Sequence, residues 1–134
     1  GESDLVRGTL VPGERMESMT SPLLAFDGEG RLALAGGSAG GTRIATALVG
    51  VVAGILDEGL EPQAAVDRPR FTVAGPVVNA EPRVDEDGLS ELERRGRQVR
   101  RWAAQHHYFG GVSVVTPGGA AGDPRRDGAA RILR

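Results

Sequence analysis

The 134-residue chain has no cysteine, which excludes a disulfide framework, a thiolate nucleophile and a cysteine-ligated zinc. It has no lysine either: all 16 basic residues are arginine. That bias reads as the codon composition of a GC-rich genome and identifies no partner. A net charge of -2 offers no surface for a polyanion, so no nucleic acid is expected. The longest apolar run, Ile44 to Leu56, is broken by Thr46, Gly50 and Gly54 and is too short to cross a bilayer, so no membrane is expected. No secretory signal is visible. The chain opens Gly1-Glu2-Ser3-Asp4 without an initiator methionine, so it reads as a piece of something longer. Nothing in it fixes a compartment. What remains, 40% apolar and 25% charged, is ordinary for a globular protein, and its length fits one domain spanning residues 1–134.

Turn signals divide the chain. Val11-Pro12-Gly13 punctuates a polar opening. Leu23–Phe26 and Arg31–Ala35 flank Asp27-Gly28-Glu29-Gly30, which predicts a β-hairpin. The stretch Gly36–Thr42 should then turn the chain into a helix from Thr42 to Glu58. Ile44, Leu48, Val51, Val52, Ile55 and Leu56 recur there at helical spacing. Alanines and valines fill the rest of the circumference, predicting burial nearly all round. Thr42 is the expected N-cap and Gly59 the stop. A short helix is expected from Pro62 to Asp67, ended by Arg68-Pro69. A broken or edge strand should follow over Phe71–Val84, then a helix over Gly88–Arg95 stopped by Gly96. Strands are expected at Gln98–Trp102 and Gly111–Thr116, and the tail Pro117–Gly128 should be loop. This order predicts a layered α+β domain.

The sharpest feature is the glycine-rich segment before the first helix. Small residues there leave backbone N–H groups free to converge on an anion, helped by the helix dipole. A Walker loop fails because Gly41 is followed by Thr42-Arg43 rather than Lys-Ser/Thr. A dinucleotide fingerprint fails on the spacing of Gly36, Gly37, Gly40 and Gly41. Two readings stay open: an oxyanion hole, and a tight turn in which glycine serves packing alone.

The segment Gly37-Ser38-Ala39-Gly40-Gly41-Thr42-Arg43-Ile44 resembles the Gly-Ser-Pro-Gly-Gly-Ser-Arg-Ile signature of the γ-glutamyltranspeptidase small subunit. Gly13 through Pro22 is similar to that family's Gly-Lys-Arg-Pro-Leu-Ser-Ser-Met-Ser-Pro. Asp57-Glu58-Gly59 with Ala64–Phe71 resembles its Asp-x-Gly…Gln-Ala-Val-x-Ala-Pro-Arg-Phe segment. Leu92–Gly96, Phe109–Val112 and Asp123–Gly128 follow in the family's order and spacing, so the resemblance covers nearly the whole chain.

It implies the C-terminal segment of an αββα sandwich of the N-terminal-nucleophile hydrolase class. In that class a precursor cuts itself and exposes a threonine whose own amine is the base. The family opens its small subunit with Thr-Thr-His, a context absent here, so the chain is expected to begin past the nucleophile. Gly40 and Gly41 match the family's oxyanion glycines. Ser18 and Met19 align with the serine pair that holds the substrate's α-carboxylate, with Met19 replacing the second hydroxyl. Asp4 matches the aspartate that pairs with the α-ammonium, and Glu2 stands beside it. On the residues alone, Ser18 is a turn residue and Asp4 a solvated charge. The resemblance implies a small γ-glutamyl substrate, no cofactor, and as partners a large subunit and the N-terminal part of the same precursor. Acylases and a poly-γ-glutamate transpeptidase share the family. A non-catalytic module binding an anion or a partner is the reading from another class.

Other conspicuous residues are expected to be structural. Adjacent His106 and His107 should point apart and lack an acidic ligand cluster. Arg94–Arg101 should be a solvated edge. Asp123-Pro124-Arg125 should be a turn fixed by local ion pairing.

Overall fold

The computed structural model describes residues 11–15 and 19–133. The expected hairpin forms from β1 (Ser21–Phe26) and β2 (Leu32–Ala39), paired antiparallel with Ser21 facing Ser38. Its turn is organised by Asp27, whose Oδ1 accepts the N–H groups of Glu29 and Arg31 at 2.9 Å each. Gly36 to Ala39 do not turn the chain; they continue β2, pairing with the later strand β6 (Gly111–Thr116). A Cβ on Gly36 would lie 2.7 Å from the Ser113 carbonyl, so this glycine permits close strand approach rather than a turn.

The turn proper is Gly40-Gly41, at φ 147° and 59°. It opens a 3₁₀ turn (Gly41–Arg43) that leads into α1 (Ile44–Leu56). Thr42 is therefore not an N-cap: no side chain caps either element, and Thr42 Oγ1 instead accepts from Arg43 Nη1 at 3.1 Å. Gly59, at φ 69°, ends the helix as expected, with Leu60 N–H closing on the Gly54 carbonyl at 2.9 Å. Nor is α1 buried all round: Val49 is 68% exposed, and Ala47, Val51 and Gly54 form the inward stripe.

That stripe packs with α2 (Pro62–Asp67) on one face of a four-stranded antiparallel sheet ordered β1-β2-β6-β7. The core is Leu34, Ala47, Val51, Ala65, Val66, Val112, Val114 and Ala121. β7 (Gly119–Gly122), followed by a 3₁₀ turn at Pro124–Arg126, lies where loop was expected. A run of Gly and Ala carries no strand propensity; pairing with β6 imposes the conformation. The opposite face of this sheet leaves Leu24, Phe26 and Val115 at least half exposed.

β3 (Phe71–Ala74) and β4 (Val77–Ala80) form a hairpin across Gly75-Pro76, and β5 (Gln98–Arg101) pairs parallel with β4. The crossover is α3 (Glu86–Arg94), capped by the Asp85 carboxylate on Gly88 N–H at 2.9 Å. Leu89, Val78 and Ala80 make this second, smaller core.

Candidate active site

The antiparallel ladder gathers three segments at one end of the four-stranded sheet. Ser21, at the start of β1, faces Ser38; Ala39, at the end of β2, faces Gly111, at the start of β6. The Met19 approach to β1, the Gly40-Gly41 turn and the Gly110 loop therefore share that end. Met19 is half-buried there. Asp4 and Ser18 lie outside the described residues, as does Glu2.

The first N–H groups to close on the turn belong to Arg43, which donates to the Gly40 carbonyl at 3.2 Å, and Ile44, which donates to the Gly41 carbonyl. Among the described residues, neither Gly40 N–H nor Gly41 N–H donates within the turns and caps of the backbone. They are leading amides of a helical segment, where the dipole favours negative charge.

Gly40 is pressed against Gly110: a Cβ on Gly40 would lie 2.7 Å from the Gly110 Cα. Gly110, at φ 80°, is itself confined, since its own Cβ would meet the Ala39 carbonyl at 3.1 Å and the Ala47 methyl at 3.4 Å. Arg43 ties the far side of the turn to the same segment. Its Nε donates to the Tyr108 carbonyl at 3.2 Å and its guanidinium sits 4.7 Å from the Tyr108 ring centre. Tyr108 stacks on Trp102 at 4.9 Å, so this wall is aromatic.

Behind Gly110 lies a feature the sequence reading missed. Arg70, Glu81, Asp123 and Arg125 are all buried and form one charge network. Arg70 Nη2 pairs with Asp123 Oδ2 at 2.7 Å, and Arg125 binds Glu81 through Nε at 2.7 Å and Nη2 at 2.5 Å. The remaining donors reach carbonyls of Val66, Arg68, Phe109 and Gly110. Among the described residues no buried side-chain polar atom is left without a partner. Burial pulls the Arg70 guanidinium below its ordinary value, and the like charge of Arg125 adds to this, against Asp123 and Glu81. For Arg125 burial acts in the same sense, but the hydrogen bonds and charge of Glu81 outweigh it and raise the group. The Asp123-Arg125 pairing is thus local as expected, yet it also fastens β4, α2 and β6 together. The signal was present in Pro69-Arg70-Phe71, Phe109-Gly110-Gly111 and Asp123-Pro124-Arg125; what the sequence lacked was their meeting point.

The histidines do not point apart. His106 is extended, His107 begins a 3₁₀ turn, and their rings lie 4.0 Å apart, with His106 Nδ1 accepting the Tyr108 N–H at 3.1 Å. Among the described residues no cluster of three or more metal-ligating side chains occurs. Arg94 and Arg95 pair with Glu91, and Arg101 with Glu86 and Glu93, all on a solvated edge.

Residues 7–133 match the family model described as Gamma-glutamyltranspeptidase. The Acylase ACY 1 proenzyme of Pseudomonas sp. (strain V22) is 32% identical over 93 residues, covering 69% of this chain and 16% of that protein. This chain thus spans about one sixth of that relative. Among solved structures, the Bacillus anthracis transpeptidase CapD superposes with a TM-score of 0.75 at 24% identity, covering 91% of this chain and 75% of that one. The cephalosporin acylase from Bacillus halodurans gives 0.67 at 27% identity, covering 78% of this chain and 20% of that one. The mixed helix-and-sheet fold is that of the N-terminal-nucleophile hydrolases, as expected. With a family match over nearly its whole length and the glycine turn placed at a strand-to-helix junction, the chain belongs to the γ-glutamyltranspeptidase family.

Proposed function

We propose that this chain is the C-terminal part of a small, catalytic subunit that transfers or hydrolyses γ-glutamyl groups. The donor is a glutathione-like γ-glutamyl amide, and the acyl group passes through a threonine ester to water or an amino acid. The threonine and its amine come from the N-terminal part of the same precursor, and a large subunit adds further substrate contacts. Within this chain, Gly40 and Gly41 supply the oxyanion donors. Two amides aimed at the developing alkoxide stabilise the tetrahedral intermediate more than the planar amide, which is what lowers the barrier. Asp4 pairs with the α-ammonium, and Ser18 with the amide of Met19 receives the α-carboxylate.

The observation that carries this reading is the glycine pair: leading amides of a helical segment that, among the described residues, donate to no turn or cap carbonyl, in a segment that matches the family motif. The test is turnover of γ-glutamyl-p-nitroanilide by the full-length enzyme, with intact mass locating a glutamyl ester on the terminal threonine. No turnover and no ester would refute it. A second reading is favoured by Met19, which loses a head-group hydroxyl, and by the acylase relative. On that reading the acyl group lacks the amino-acid head, and glutaryl-p-nitroanilide is cleaved faster than its γ-glutamyl counterpart.

A further inference from the structure

We infer that Arg70 is a positioning residue for the Gly40-Gly41 turn, acting through the Gly110 carbonyl; this rests on the oxyanion reading above. The contacts form a short chain. Arg70 Nη1 donates to the Gly110 carbonyl at 3.3 Å, while Arg70 Nη2 binds Asp123 Oδ2 at 2.7 Å. That same Asp123 Oδ2 accepts Val112 N–H at 2.9 Å. The Arg70–Asp123 pair therefore clasps the backbone on both sides of Gly111, the residue that faces Ala39 in the ladder. Gly40 follows Ala39 and rests on the Gly110 Cα, with no room for one extra carbon between them.

Position is thus transmitted by contact and not by field. A fork of fixed geometry holds a carbonyl, the carbonyl fixes a glycine, and that glycine is the surface on which the turn sits. Gly40 at φ 147° has no steric preference of its own to keep its amide in one direction, so the direction must come from what it touches. Arg70 is buried and engaged on every side by protein groups, so it meets no substrate. Arg125 provides an internal comparison. It is equally buried in the same network, but its bonds go to Glu81, Asp123, Val66 and Arg68 and none to Gly110.

The experiment compares Arg70→Lys with Arg125→Lys in the full-length enzyme, its two subunits produced as separate chains so that self-cleavage is not required. Lysine keeps the charge and loses the fork. Measured are Tm, kcat and KM for γ-glutamyl-p-nitroanilide (or for glutaryl-p-nitroanilide, whichever wild type cleaves), and the affinity of the corresponding boronic acid, which forms a tetrahedral adduct. Arg70→Lys is expected to lower kcat about 100-fold, the scale of an ångström-level misplacement, with KM changed less than about threefold and boronate affinity falling in step with kcat. Arg125→Lys, at a similar loss of Tm, should keep kcat within about threefold of wild type. If the two variants lose kcat in proportion to Tm, or Arg70→Lys raises KM alone, the role is structural and the inference is overturned while the activity stands. Should Arg70→Lys not fold, Gly110→Ala carries the test: a kcat loss with boronate affinity lost in step supports the inference, and wild-type kcat overturns it. A wild-type enzyme silent on both anilides removes the functional reading, and this inference with it.

Discussion

At the scale of single residues, Gly40 and Gly41 share a motif but not a constraint. Gly41, at φ 59°, has open space where a Cβ would go, so Gly41→Ala meets only the cost of a left-handed residue, about 1–2 kcal/mol. Gly40→Ala must push the turn off Gly110. Steady-state kinetics should show Gly40→Ala lowering kcat about 10²–10³-fold, the scale of a lost oxyanion donor, with Gly41→Ala milder. Equal, small effects would return the turn to a packing role. Glu81 makes a stability prediction. It holds both forks of Arg125 and the Arg70 N–H, all buried. Glu81→Ala leaves the buried Arg70 and Arg125 guanidinia to share the one Asp123 carboxylate and should cost about 3–5 kcal/mol by denaturant unfolding. Asp27 gives a pH prediction. The backbone N–H of Arg31 and then its side chain hold this carboxyl below the ordinary 3.8. A depressed carboxylate stabilises above its unfolded pKa, and that stabilisation is lost as pH falls through the folded value. Asp27→Ala should therefore lower Tm at neutral pH, and its difference from wild type should vanish in strong acid.

Among the elements, legibility followed the source of the conformational preference. The β1–β2 hairpin, α2 and the Gly59 and Gly96 stops were readable because Asp-Gly, Pro and Gly act locally, on their own dihedrals. β7 was not, because Gly119-Ala120-Ala121-Gly122 has no strand preference of its own and becomes a strand only by pairing with Ser113–Thr116 across Pro117-Gly118. The same cause misread Gly36-Gly37. Glycines before a helix suggest a turn, yet these pair with Val114 and Ser113 and leave only Gly40-Gly41 to bend. In the candidate site, the glycine pair was legible from its motif. The Arg70–Asp123 and Glu81–Arg125 pairs were not, since charged residues are buried only when a partner distant in sequence satisfies them. Asp85 offers a test at this scale: its carboxylate caps α3, and Asp85→Ala should cost about 1 kcal/mol of stability.

At the scale of the whole molecule, activity depends on which groups these elements bring together. The four-stranded sheet carries α1 and α2 on one face and leaves Leu24, Phe26 and Val115 exposed on the other. The chain matches 16% of the length of its curated acylase relative. Oxyanion donors polarise a carbonyl; they do not attack it. Attack needs a hydroxyl with a base beside it. Ser38 Oγ is turned toward the Ala39 carbonyl at 3.5 Å, and Thr42 Oγ1 is engaged by Arg43. Among the described residues no serine or threonine hydroxyl is hydrogen-bonded to a histidine; His106 Nδ1 accepts the Tyr108 N–H, and the His106 backbone N–H donates to Glu81. The 134-residue chain alone is therefore expected to show no turnover of γ-glutamyl-p-nitroanilide above buffer, and no mass increase of a glutamyl group after incubation. Adding the complementary subunits should restore both. Turnover by the isolated chain, or a stable glutamyl adduct on it, would place a nucleophile within these residues and move the boundary of the catalytic unit with it.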